Sequence, residues 1–235
     1  MDLLLLGWPD VGLGIAPLLV VWLVLERRPG APPRWQDPAW VLPLLWPIYL
    51  VHQFEEHGID LLGRRYAFQE GLCGVLGHAE SLSVCPATPA FLFAVNAVGC
   101  QMTFAFSLVF RRRRPLVAAC AWGVALVNGV IHVGSSLAHG GAYNPGVGTS
   151  LLLFLPLSAW MLRTVVRAGV VERREVPRII ATGVLAHAVL LASLFLRERG
   201  WLSPGALLAV NATNGVWPLV FGLRGAQRTT PVPAA

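Results

Sequence analysis

The sequence contains no lysine and carries little charge of either sign. Charged residues make up 13% of the chain, whereas hydrophobic residues make up 55%. Several nearly uninterrupted apolar stretches reach about 20 residues, the length that crosses roughly 30 Å of hydrocarbon. This balance excludes an ordinary soluble fold. It predicts an all-α, polytopic transmembrane helical bundle that has the lipid bilayer as its main partner.

The N-terminus lacks the basic residues with which a signal peptide begins. The acidic Asp2 stands there instead, and the apolar run continues to Glu26 without a small-residue cleavage site. The first apolar segment is therefore expected to remain in the protein as a helix.

Apolar segments predict about seven transmembrane helices in a single domain that spans residues 1–235. The last segment is the weakest, because Asn211, Asn214 and the Trp217-Pro218 step would kink or end a helix. A six-helix bundle with a re-entrant tail is the alternative. The predicted segments are 5–25, 39–60, 88–110, 116–138, 147–167, 178–196 and 203–222.

All 18 basic residues are arginines that stand in short clusters between the apolar segments. Membrane topology explains such clusters, so nucleic-acid binding is not expected. One set of alternate loops holds fourteen arginines and the other holds four. Because short cytoplasmic loops retain arginine, the N-terminus is predicted outside the cell membrane and the C-terminus in the cytoplasm. The fourteen are Arg27, Arg28, Arg34, Arg111, Arg112, Arg113, Arg114, Arg163, Arg167, Arg173, Arg174, Arg178, Arg224 and Arg228.

The longest connection, residues 61–87, lies on the outer side in this topology and could fold over the helix ends as a cap. Its two cysteines, Cys73 and Cys85, could form a disulfide in an oxidising exterior. Cys100 and Cys120 fall inside apolar helices and are expected to be inert packing residues.

The second helix ends in a polar run, residues 52–57. On an α-helix, His52, Glu55 and Glu56 share one face, whereas His57 falls on another. Charged carboxylates at the membrane centre cost about 2.5–3.5 kcal/mol each, so these need partners, water or a bound proton. The face could offer one imidazole and two carboxylates to a metal, or a carboxyl pair in which one group keeps its proton. Alternatively, the run simply ends the helix in water.

The fourth helix carries a polar stripe at intervals of three and four residues: Asn128, His132, Ser135, Ser136 and His139. At 1.5 Å per residue, His52, His132 and Asn96 all lie roughly 10 Å below the outer boundary. These three side chains are therefore expected to meet. The loop at 140–146 is a predicted turn that would suit a lid over the outer mouth.

Three motifs carry a resemblance to a known family. His52-x-x-Glu55-Glu56, Asn128-x-x-x-His132 and Tyr143-Asn144-Pro145-Gly146 resemble the signature of the HXXEE domain family of predicted bacterial membrane proteins. The resemblance covers about residues 40–165. It implies a shared site at the polar residues of the three motifs, with Asn144 supporting it, but it supplies no reaction. Either Glu55 or Glu56 could be the ligand and the other its supporting partner.

Three functions are compatible with these patterns. The first is a membrane-embedded metalloenzyme for a lipid-like or isoprenoid substrate, with His52, Glu56 and His132 as ligands of zinc, iron or manganese. In it, Glu55 is a base or further ligand, Asn128 orients a ligand, and Tyr143 belongs to the catalytic set. The second is a metal-free acid–base isomerase or cyclase that uses Glu55 and Glu56. The third is a small-molecule or proton-coupled transporter, which the lack of an evident internal repeat disfavours.

Overall fold

A computed structural model of the chain describes residues 2–26 and 29–224. This part of the chain forms eight helices, of which seven match the predicted segments and one lies in the long connection. Five of them, α1, α4, α5, α6 and α7, are long and apolar enough to cross a membrane. The helices are α1 (Asp2–Leu25), α2 (38–58), α3 (Ala67–Val75), α4 (Pro89–Val109), α5 (Pro115–Ala138), α6 (Val147–Arg167), α7 (Arg173–Glu198) and α8 (204–222).

The helices run alternately up and down, so the bundle has two distinct ends. At one end Glu26, just after α1, accepts hydrogen bonds from Arg111 and Arg112 at 2.7 and 2.6 Å. We call this the arginine-rich end, although Arg27, Arg28 and Arg228 fall outside the described residues. We call the opposite end, where the connection 61–87 lies, the cap end. Arg111 and Arg112, two of the fourteen arginines predicted on one side, thus lie beside the end of α1.

Helix α5 is the central helix and packs against α4, α6, α7 and α8. Its Trp122 is fully buried, and the indole N–H donates to the Leu42 carbonyl of α2 at 2.8 Å. Backbones of α5 and α7 touch where they cross: a Cβ on Gly123 would lie 1.8 Å from the Ile179 carbonyl oxygen. Small residues allow such close crossings between membrane helices. This crossing fixes the position of α5, whose polar residues lie nearer the cap end.

Three helices change from α to π geometry toward the cap end. The π segments are Phe54–Gly58 in α2, Ala94–Cys100 in α4 and Ser150–Phe154 in α6. A π segment widens the helix by hydrogen bonding residue i to i+5, and such segments occur frequently at functional sites. The segment in α2 contains Glu55 and Glu56, and the segment in α4 contains Asn96.

A short helix and a disulfide organise the long connection. Helix α3 lies within it, and Cys73 near the end of this helix is bonded to Cys85. The structure thus contains the bridge that the sequence allowed, whereas Cys100 and Cys120 are free thiols within helices. The disulfide ties α3 to the segment that leads into α4.

Helix α8 is interrupted at the predicted position. Its α-helical part ends at Thr213, a 3₁₀ turn covers Asn214–Val216, and the helix resumes at Trp217. Pro218 lacks the N–H that a continuous helix would need, which accounts for the break.

Candidate metal centre

Three buried side chains from two helices converge near the cap end. Glu56 of α2 lies between two imidazoles: its Oε2 is 3.4 Å from Nε2 of His52, and its Oε1 is 3.2 Å from Nε2 of His132. The exposed fractions of the three residues are 0%, 4% and 6% for His52, Glu56 and His132. The meeting of His52 and His132 predicted from their depth is confirmed, since their ring centroids are 5.2 Å apart. We call these three residues the His–Glu cluster.

The proton on His52 can be assigned from its neighbours. The Thr149 hydroxyl donates to Oε2 of Glu55 at 2.5 Å, so its oxygen is left to accept the hydrogen bond from Nδ1 of His52 at 2.8 Å. The His52 ring therefore carries its proton on Nδ1, and the lone pair of Nε2 points at the cluster.

The proton on His132 follows from the same reasoning. The Asn144 side chain donates from Nδ2 to the His132 carbonyl at 3.0 Å, which turns its Oδ1 toward Nδ1 of His132 at 2.8 Å. An amide oxygen only accepts, so Nδ1 of His132 is the donor, and in the neutral ring Nε2 carries the lone pair. Asn144 thus orients His132 as Thr149 orients His52.

The resulting cluster brings together groups that all accept hydrogen bonds. Nε2 of His52 is buried and has no hydrogen-bond partner among the residues that the structure describes. Two imidazole lone pairs and a carboxylate repel one another unless a positive charge lies between them. The candidate ligand atoms of the three residues all lie within 4.8 Å of one another, so the cluster could hold a metal ion. Two imidazoles and a carboxylate form a common ligand set for zinc and for non-haem iron.

Glu55, although adjacent in sequence, lies outside the cluster and is bound by α6 and the loop before it. Its carboxylate accepts from the backbone N–H groups of Gly148 and Thr149 at 3.0 and 2.7 Å, and from the Tyr143 hydroxyl at 3.1 Å. The Thr149 hydroxyl is a fourth donor. Glu56 therefore faces the histidines, while Glu55 is held among donors and touches His52 only through Thr149.

Tyr143 links two loops at the cap end. Its hydroxyl accepts from the Leu61 N–H at 3.0 Å and donates to Glu55. Burial and the nearby Glu55 carboxylate raise the pKa of Tyr143 to about 12. The phenol is therefore neutral at physiological pH and remains a donor to Glu55.

The expectation that His57 falls on another face was wrong. Its Nε2 lies 3.2 Å from Oε2 of Glu56, and the ring is 5% exposed. In the π segment Phe54–Gly58, residues five apart come into line, so His57 moves onto the side of His52. Asn96 joins this edge, with its Nδ2 3.0 Å from Nε2 of His57.

Two residues of the predicted stripe on α5 lie elsewhere. His139 is exposed at the end of the helix, and its Nδ1 donates to the Ser135 carbonyl at 2.8 Å. It does not contribute to the cluster, because α5 ends at Ala138 and the chain turns away there. Asn128 is one helical turn below His132, and its buried Oδ1 has no partner in the described part of the chain.

Several residues at the site were missed by the sequence reasoning. Gln53 donates to Oε2 of Glu56 at 2.9 Å. Thr149 links Glu55 to His52, because its hydroxyl donates to Glu55 and accepts from His52. A Cβ on Gly146 would lie 2.8 and 2.9 Å from the Cε1 atoms of His132 and His52, so only glycine fits there. Gly146 also has φ +93°, which favours glycine. Gly146 is the last residue of the Tyr143 motif and Thr149 follows it by three residues, and this was the available signal.

A cavity of about 370 Å³ adjoins the cluster. Glu56, His132 and Asn128 lie on its wall, but apolar side chains form most of its lining. This size and character are those of a small-molecule site. Aromatic rings that line the cavity are Tyr49, Phe68, Phe91, Phe104 and Phe154.

The fold and the cluster define a class: a helical protein with helices suited to a membrane and a buried histidine–carboxylate site beside an apolar cavity. The chain matches a family model described as "Protein of unknown function with HXXEE motif" over residues 43–161, just over half of its length. It belongs to this HXXEE family, as the three motifs indicated. No curated protein and no solved structure significantly matches the chain.

Proposed function

We propose that the protein is a membrane-embedded, metal-dependent enzyme that acts on a lipid-like or isoprenoid substrate. One observation carries the proposal: two buried imidazole lone pairs and the Glu56 carboxylate converge beside an apolar cavity. A cation removes the repulsion among these acceptors. The cavity then offers an apolar substrate a place next to the ion.

In this proposal His52, Glu56 and His132 hold the metal. Thr149 and Asn144 fix the two imidazoles by their hydrogen bonds at 2.8 Å, as outer partners of metal-binding histidines commonly do. Glu55, bound by four donors, orients Thr149 and through it His52. Its role is therefore positioning rather than proton transfer.

The ligand set suits zinc, iron or manganese. A bound metal would supply Lewis-acid activation of a substrate oxygen or of water, or redox chemistry in the case of iron. Asn128, with its unpartnered oxygen on the cavity wall, would orient a polar group of the substrate beside the metal.

The cap end is proposed to face the outside of the cell and the arginine-rich end the cytoplasm. The fourteen-to-four distribution of arginines supports this orientation. The disulfide between Cys73 and Cys85 supports it independently, because disulfides persist in oxidising compartments. The His–Glu cluster would then lie toward the outer side.

Metal analysis of the purified protein tests the proposal. Wild-type protein is expected to retain one metal ion per chain after exchange into metal-free buffer, and the His52→Ala, His132→Ala double variant is expected to lose it. The double variant His78→Ala, His139→Ala removes two histidines outside the cluster and should keep the metal. Wild-type protein that binds no metal, or equal retention in both double variants, would refute the proposal.

A metal-free acid–base isomerase or cyclase is the second candidate, and the aromatic lining of the cavity favours it. Rings such as those of Phe68, Phe104 and Phe154 could stabilise a carbocation formed by proton transfer from the cluster. Conversion of an isoprenoid substrate that survives exhaustive chelation but disappears in Glu56→Gln would establish this alternative in place of the metalloenzyme.

A further inference from the structure

Two exposed residues of α5 and α7 line the cavity beside the His–Glu cluster. Ile131 of α5 and Leu191 of α7 both line the cavity, yet they are 46% and 55% exposed. Each lies about two turns from the cap end of its helix, which is roughly 10 Å at 1.5 Å per residue. The two exposed lining residues thus lie at one level, below the helix ends.

The same two helices are closed toward the arginine-rich end. A Cβ on Gly183 would lie 2.0 Å from the Gly123 carbonyl oxygen, so the backbones are in contact there. Beyond this crossing, toward the cap end, residues of both helices line the cavity, among them Asn128 of α5 and Leu190 of α7. Both helices are among those long and apolar enough to cross a membrane, so an opening between them would face the acyl chains of the bilayer.

The cavity extends along the helices, and most of its lining is apolar. Glu56 and His132 lie on its wall within roughly 10 Å of the helix ends. The polar residues Asn128 and His187 lie about 15 Å deep. Its deeper wall includes Phe104 and Val124, roughly 20 Å below the helix ends at 1.5 Å per residue. A volume of about 370 Å³ is at the lower end of the range for ligand pockets, which suits one slender chain.

We propose that Ile131 and Leu191 flank a lateral portal that admits a single-chain amphiphile from the bilayer. The oxygen-containing head group of the amphiphile binds beside Glu56 and His132, and its chain follows the apolar wall toward Phe104. The position of the head group rests on the proposed function, whereas the portal rests on the exposure of two residues that line the cavity. A substrate that resides in the membrane would reach the site without passing through water.

Photolabelling in proteoliposomes tests the portal. The probe is a long-chain fatty acid with a diazirine in its chain, and labelled peptides are mapped by mass spectrometry. Wild-type protein should be labelled at cavity residues such as Val95 and Val124. Ile131→Trp and Leu191→Trp, made singly, should reduce cavity labelling to background because the indole fills the portal.

Matched controls lie beside the portal on the same helices. Val130 and Val184 are 56% and 53% exposed but do not line the cavity, so Val130→Trp and Val184→Trp should label as wild type does. Size-exclusion profiles identify any variant that fails to fold, and the other portal variant then supplies the comparison. Metal content should be unchanged in all four variants.

Two results would overturn the portal. One is cavity labelling in the portal variants that equals that of the controls. The other is labelling by a short, water-soluble diazirine acid, added from outside, that is unaffected by Ile131→Trp or Leu191→Trp. Cavity labelling of wild-type protein that holds no metal would refute the proposed function but leave the portal standing. A metal-loaded protein without cavity labelling would refute the portal but leave the proposed function standing.

Discussion

At the scale of single residues, the account depends on which nitrogen of each imidazole carries the proton. Thr149 and Asn144 accept from Nδ1 of His52 and His132, which leaves both Nε2 lone pairs directed at Glu56. Facing acceptors are unfavourable when they are buried, and the single donor from Gln53 does not satisfy all of them, so a bound cation would stabilise the arrangement. The hydrogen bonds of the two Nδ1 atoms therefore direct both Nε2 atoms toward Glu56, and they also hold the imidazoles in the orientation that a bound cation needs.

Thr149→Val tests the connection between Glu55 and His52. Valine keeps the shape of threonine but lacks the hydroxyl that donates to Glu55 and accepts from His52. Metal affinity is expected to fall by about 10–100-fold, as for other outer partners of metal-binding histidines. Competition with a chelator measures this change. Thr149→Ser retains the hydroxyl and should bind metal as wild type does, and equal weakening in both variants would contradict the account.

Gly146→Ala tests the close approach of the loop to the imidazoles. The added Cβ would lie 2.8 and 2.9 Å from His132 and His52, so the rings must move and metal binding should be lost. Gly141→Ala is the control, because Gly141 also has a positive φ (+85°) but has no described neighbour within 4 Å of its Cβ position. Both variants should lose about 1–3 kcal/mol to backbone strain, measured by thermal unfolding. Retention of metal by Gly146→Ala would show that the loop does not confine the rings.

At the scale of helices, the segments themselves were predictable and their local geometry was not. Long apolar runs identified seven of the eight helices, and the depth count brought His52 and His132 together. The count succeeded because depth changes little when a helix is slightly unwound. The direction in which a side chain points is more sensitive to local helix geometry. The π segment Phe54–Gly58 brings His57 beside Glu56, contrary to the prediction.

Contacts between distant segments could also not be predicted from the sequence. Both Glu55 and Glu56 fall on the same side of an ideal helix, so periodicity could not decide which one faces the histidines. The first N–H groups of α6, at Gly148 and Thr149, bind Glu55, and Glu56 is the carboxylate that faces the histidines. The start of a helix offers free N–H groups that attract a carboxylate, but which carboxylate arrives there depends on the tertiary fold.

Gly123→Ala tests the crossing of α5 and α7 that closes the cavity from below. The new Cβ would lie 1.8 Å from the Ile179 carbonyl oxygen, so the helices must separate. Overpacking of this kind costs about 1–3 kcal/mol or more, and the thermal unfolding midpoint in detergent should fall. Gly134→Ala, on an exposed part of the same helix with no described atom within 4 Å, should instead raise the midpoint slightly through helix propensity. A midpoint for Gly123→Ala at or above that of wild type would contradict the crossing.

At the scale of the whole molecule, the His–Glu cluster lies toward the cap end, whereas Arg111 and Arg112 lie at the opposite end beside Glu26. Labelling of introduced cysteines in intact cells with a membrane-impermeant maleimide tests the orientation. Gly63→Cys, at the cap end, should be labelled, whereas Arg113→Cys, at the arginine-rich end, should be labelled only after the cells are opened. Both positions are exposed, so access of the reagent differs only by side. The opposite pattern would place the cluster on the cytoplasmic side.

The adjacent carboxylates of α2 allow the most direct test of the central claim, that His52, Glu56 and His132 bind a metal ion. The measurement is the metal content of wild-type, Glu56→Gln and Glu55→Gln proteins after equilibration in one metal buffer. Wild-type protein should hold one ion per chain, Glu56→Gln should hold none, and Glu55→Gln should bind more weakly but still reach full occupancy at higher metal concentration. A metal-free wild-type protein, or an ion that survives Glu56→Gln and is lost in Glu55→Gln, would contradict the account.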